Sequence, residues 1–135
     1  HPMKRDLDLI REIVLEAESA GPGQRISYEA EIPVPMPGDL KLKEIPDNLR
    51  NQKVYNAHQL MEAGILVGDS LSGRGNLPSA VMVVDLSPKG HDFAESIRSD
   101  TNWNKLKERT AKAGGWVLEA FIAAAISAAA NRVMG

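Results

Sequence analysis

Seven polar side chains of the kinds that reach base edges and phosphates fall close together: Arg50, Asn51, Gln52, Lys53, Tyr55, Asn56 and Gln59. Amides pair with adenine edges, while arginine, lysine and tyrosine donate to phosphate oxygens. Asn51, Gln52, Tyr55, Asn56 and Gln59 recur at separations of four and eight, so they share one face if the segment is helical. The chemistry they suit is contact with double-stranded DNA. Arg74, between Gly73 and Gly75, would add a wing contact in the minor groove. The same face serves equally as a solvated or protein-contacting surface. Asp47 and Glu62 offset Arg50 and Lys53, leaving no local basic excess for phosphate neutralisation.

Other chemistries have less support. The chain has no cysteine and three histidines, which leaves no thiolate ligands and too few imidazoles for an expected metal centre. His58 and His91 each have one carboxylate a turn further on, Glu62 and Glu95, and are expected to be structural. Asp6 and Asp8, or Glu16 and Glu18, lie two apart and diverge on a helix. No serine sits in a nucleophile elbow. The glycines of 68–75 superficially suggest a phosphate loop, but Arg74 and Gly75 occupy the positions that need Lys and Ser/Thr. The expectation is a non-enzymatic protein with no cofactor and no small-molecule substrate. The run Lys105-Leu106-Lys107-Glu108-Arg109-Thr110-Ala111-Lys112 is the most basic stretch, a solvated helix face or a second phosphate contact.

The elements that must position these residues follow from periodicity. The 135 residues, 43% hydrophobic and with net charge −2, suit one domain and provide no global attraction to polyanions. His1-Pro2 ahead of Met3 reads as a cloning remnant, and the charged residues after Met3 do not resemble a secretory leader. The apolar stretch 116–130 contains Glu119 and is shorter than the ~20 residues a membrane span needs. A cytoplasmic location is expected.

Leu7, Ile10, Ile13, Val14 and Ala17 predict an amphipathic helix over 5–19. Five of the eight prolines lie in 20–46, predicting an extended edge or loop with short strands at 25–31 and 39–43. Asp47 is the expected N-cap of a helix over 48–63, with Leu49, Val54, Ala57, Leu60 and Met61 inward and Gly64 as its stop. Residues 65–67 and 80–86 predict a hairpin around the glycine-rich 68–78. Ser87 and Pro88 open the next helix, which breaks near Ser99-Asp100 before another carrying Trp103 and Leu106. After Gly114-Gly115, a helix over 116–133 aligns Leu118, Phe121, Ile122, Ile126 and Val133. That stripe predicts a homodimer interface, because self-pairing is the common way to bury such a surface.

Helix, extended stretch, helix and hairpin is close to the winged-helix order, in which the helix before the hairpin reads DNA. Leu60-Met61-Glu62-Ala63-Gly64-Ile65 resembles the end of that helix in many bacterial winged-helix repressors. Met3-Lys4-Arg5-Asp6-Leu7-Asp8-Leu9-Ile10-Arg11-Glu12-Ile13 resembles the opening of a family of small bacterial and prophage proteins of unknown function. Two later blocks agree with that family: Tyr55-Asn56 through Glu62-Ala63-Gly64, and Leu86-Ser87-Pro88-Lys89-Gly90-His91-Asp92-Phe93 through Trp103-Asn104-Lys105. The resemblance implies a winged-helix-like domain and no particular activity. The expected architecture is mostly α with a small β-hairpin (α+β). A winged-helix-like domain over 3–98 is followed by a helical extension over 99–135 that mediates dimerisation. The helix that normally precedes the reader is shortened or missing in this sequence.

Overall fold

A computed structural model describes residues 3–134, with side chains to Arg132. Helix α1 (Leu7–Ala20) starts where the Asp6 side chain accepts from the Leu9 N–H, and it buries Leu9, Ile10, Ile13, Val14 and Ala17. Strand β1 (Ile26–Glu29) follows. The predicted strand at 39–43 does not form, and no helix stands between β1 and the next element. Pro33, Pro35 and Pro37 withhold the donors that a helix over that stretch would need.

Helix α2 (Leu49–Glu62) is capped by Asn48, not Asp47 as expected, with the Asn48 side chain accepting from Asn51 N. Asp47 instead accepts from Gln52 Nε2 at 2.9 Å. Leu49, expected inward, is exposed, whereas Val54, Ala57 and Leu60 are fully buried. A first-turn side chain precedes the point where the helix meets the core. Gly64, at φ +77°, provides the left-handed residue that ends the helix. Strands β2 (Leu66–Leu71) and β3 (Ala80–Leu86) form the expected hairpin. The sheet is antiparallel in the order β1-β3-β2, with Tyr28 opposite Val81 and Ser70 opposite Val81 on the other side.

Ser87 caps α3 (Pro88–Ile97), and Ser99 caps α4 (Asp100–Lys112). Gly90 is required where α3 crosses the hairpin, since a Cβ there would lie 2.2 Å from the Ile65 carbonyl oxygen. Helix α5 (Leu118–Met134) then returns over α3. One buried cluster includes Leu9, Ile13, Val54, Leu60, Val81 and Phe93 together with Trp103, Leu106, Leu118 and Phe121. The helices after residue 98 share one buried core with the first part. The chain is a mostly helical α+β domain around a small three-stranded sheet. Among the described residues no helix is long and apolar enough to cross a membrane.

Candidate functional site

Helix α2 carries the side chains expected to read DNA, and the fold encloses it. Helix α1 and the sheet pack against α2. Residues 31–46 are tied across its N-terminal end. No residue from Asn51 to Met61 is fully exposed, whereas a helix lying in a major groove needs a bare outer face.

Asn51 and Asn56 depart furthest from expectation, because both are completely buried. Asn51 Oδ1 accepts from the Glu31 N–H at 2.7 Å, and its Nδ2 donates to Glu31 O at 3.0 Å and to Pro46 O at 2.8 Å. One amide thus closes both ends of the 31–46 segment. Asn56 acts likewise at the start of α1. Its Oδ1 accepts from Asp6 N at 3.0 Å, and its Nδ2 donates to Lys4 O at 3.3 Å and Gln52 O at 2.8 Å. Buried amides are costly unless hydrogen-bonded, and these two are. The signal was in the spacing: Asn51 lies three before Val54 and Asn56 four before Leu60, on the rows of the apolar face.

The remaining expected contacts are also engaged inside the molecule. Arg50 Nε donates to Glu29 O at 2.7 Å, Gln52 binds Asp47, and Lys53 Nζ stands 3.8 Å from Glu12 Oε1. Gln59 Oε1 accepts from Arg5 Nε at 3.2 Å and Nη2 at 3.1 Å. Tyr55 is half-buried against the core. Arg74 turns away from the hairpin tip, and its Nη2 donates to Lys43 O. Of the eight, Arg50 and Lys53 share an open pocket with Ser27, Tyr28 and Leu49, while Asn51 and Asn56 are buried.

The tertiary structure displays instead a projecting arm over 31–46. Its tip is a turn at Met36-Pro37-Gly38-Asp39. Asp39 N donates to Met36 O at 3.0 Å, and Asp39 Oδ2 accepts from Met36 N at 2.8 Å. Gly38 has φ +92°, the conformation that a proline-glycine type II turn requires. Asn51 holds the base and Arg74 the returning limb. Val34 (76% exposed), Met36 (62%), Leu40 (99%) and Leu42 (62%) point into solvent. Four large apolar side chains are thus left uncovered on one clamped segment. Val34 and Met36 alternating with three prolines were the only sequence sign of it.

Most of the apolar stripe of α5, expected to pair with a second copy, is covered by its own chain. Leu118, Phe121 and Ile122 are buried, and Ile126 packs at the edge of the core. The Val133 side chain lies outside those described. The Phe121 ring meets Phe93, Trp103 and Trp116 edge-on, with centroids 6.3, 5.7 and 6.0 Å away. A helix on a short tether meets its own domain at an effective concentration that a second copy rarely matches.

Charge contacts bind the helices together. Asp8 Oδ1 accepts from Trp103 Nε1 at 2.9 Å and from Lys107 Nζ at 2.8 Å. The Lys107 hydrogen bond, followed by that of Trp103, holds the Asp8 carboxyl below its ordinary value. Arg11 caps the end of α3 through Ile97 O and Arg98 O while stacking 5.7 Å from the Trp103 ring centre. Burial, then the hydrogen bond donated to Glu16, pushes the Tyr28 phenol up. His58 Nε2 is 3.3 Å from Glu62 Oε1, and His91 faces Asp85 at 3.7 Å instead of Glu95. Among the described residues no three His, Asp or Glu side chains form a metal-holding group.

Fold and site together define a small α+β domain with a clamped apolar arm. Residues 4–116 match the model of the family described as "Hypothetical protein (DUF2513)", and the chain belongs to that family. No curated protein and no solved structure matches the chain.

Proposed function

We propose that this domain is a winged-helix-like protein-interaction module without enzymatic activity, and that it does not read DNA through α2. The order helix, strand, helix, hairpin and the β1-β3-β2 sheet support the winged-helix likeness. The apolar arm takes the place of the missing second helix. A bacterial or prophage regulatory setting rests on the resemblance of the opening motif.

The observation that carries this reading is the redirection of the polar residues. Asn51 and Asn56 are buried clamps, Arg50 and Arg74 hold backbone carbonyls, and Val34, Met36, Leu40 and Leu42 remain exposed. A fluorescence-anisotropy titration with random duplex at low and moderate salt tests it. The expected result is no salt-dependent binding. Binding with a steep salt slope that Arg50→Ala and Lys53→Ala together flatten by about two units would overturn the reading in favour of a DNA-binding domain.

A further inference from the structure

The chain carries a second uncovered apolar surface, a groove of about 460 Å³ between the end of α4 and the start of α5. Leu106, Arg109, Trp116, Val117, Ala120 and Phe121 are among its lining residues, and Val117 is 59% exposed. No residue of the arm lines the groove of its own chain. Asn51 and Arg74 hold the arm elsewhere.

We infer that the 32–37 limb of the arm docks in the α4–α5 groove of a second copy of this chain, each copy giving its arm to the other. This rests on the protein-interaction reading and names its partner. Two observations identify the occupant. The first is chemical fit. Pro33, Pro35 and Pro37 fix their own φ and bias the residues before them toward extended geometry. The limb is therefore pre-organised and loses little entropy on binding, and extended proline-rich segments suit aromatic-lined grooves. Trp116 and Phe121 provide that lining, while Val34 and Met36 are the apolar side chains available to fill it.

The second is charge. The limb itself is uncharged, and its flanks hold Glu29, Glu31, Asp39, Glu44 and Asp47 against Lys41 and Lys43; Glu31, Asp39 and Asp47 already accept from Asn48, Met36 and Gln52, which leaves Glu29 and Glu44 to meet a basic partner. Helix α4 is basic, and although Lys107 pairs with Asp8 and Lys112 with Glu108, Lys105 and Arg109 make no ion pair among the described residues. Arg109 lies in the groove itself. Exchange in both directions doubles the contact area, toward the ~800 Å² per partner that specific interfaces use.

Sedimentation equilibrium on the full chain from about 1 to 100 μM, with two surface double variants, tests the inference. Val34→Ser with Met36→Ser removes the arm anchors. Val117→Asp with Ala120→Asp blocks the groove at exposed positions. The wild type should form a reversible dimer, and each double variant should weaken it by about 100-fold or more. Mixing the two variants leaves one intact arm facing one intact groove, so the mixture should associate more weakly than the wild type and more tightly than either variant alone, with a change in Trp116 fluorescence. A monomeric wild type, a dimer indifferent to both variants, or a mixture that associates no more tightly than the variants alone would overturn arm exchange. A monomer that also ignores duplex DNA leaves the protein-interaction reading in place, whereas duplex binding removes that reading itself.

Discussion

Replacing Asn51 with alanine separates a clamp from a base reader by magnitude. The substitution deletes one acceptor and two donor contacts at 2.7, 3.0 and 2.8 Å. It leaves Glu31 N, Glu31 O and Pro46 O without partners. An unsatisfied buried group costs about 1–3 kcal/mol. Glu31 is exposed and Pro46 only half-buried, so water reaches these backbone groups and the low end applies to each. The expected loss is about 3 kcal/mol, a large share of the roughly 5–15 kcal/mol that holds a domain of this kind folded. Urea denaturation should show a lower midpoint with little change in slope. Trypsin should cut sooner at Lys41 or Lys43, because the base of the arm is released. A solvent-facing reader would behave otherwise, since surface substitutions usually change stability by less than about 0.5 kcal/mol. A loss below that size, with arm cleavage unchanged, would refute the clamp.

Phe121→Ala should destabilise by about 3–5 kcal/mol, as expected for a buried aromatic, because it removes the ring shared by Phe93, Trp103 and Trp116. Thermal unfolding measures the loss, and a value under about 1 kcal/mol would mean that α5 does not complete the core. The Asp8 carboxyl is held below its ordinary 3.8 in the folded state, so its contribution to stability is fully present above 3.8 and is lost as pH falls below it. The stability difference between wild type and Asp8→Asn should therefore shrink on acidification through that window. A difference that stays constant with pH would exclude the Lys107 and Trp103 hydrogen bonds as its source.

The helices and the hairpin were legible in the sequence, because local rules govern them, whereas the strand expected at 39–43 does not form. The spacing of Ile10, Ile13, Val14 and Ala17 requires a helix with one buried face. Ser87-Pro88 and Gly64 mark a helix start and a helix stop through their own backbone preferences. The β-rich runs either side of a glycine-rich stretch could hardly avoid a hairpin. Even the absence of a helix between β1 and α2 follows from proline chemistry over 33–37.

What each polar or apolar face meets was decided only by the tertiary path. An asparagine on a helix has the same amide whether it faces a base edge or a backbone carbonyl. Asn51 became a clamp because the chain brings Glu31 and Pro46 to it from twenty and five residues away. The stripe of Leu118, Phe121 and Ile122 demanded a cover, but periodicity says nothing about whose surface covers it. Phe93 and Trp103 do so here, through contacts between separate helices of one chain. Val34 and Met36 show the converse: apolar residues that composition alone would assign to a core are left outside, because prolines deny their segment a place in the sheet. Local spacing determines which surfaces must be satisfied, and the long-range route of the chain determines by what.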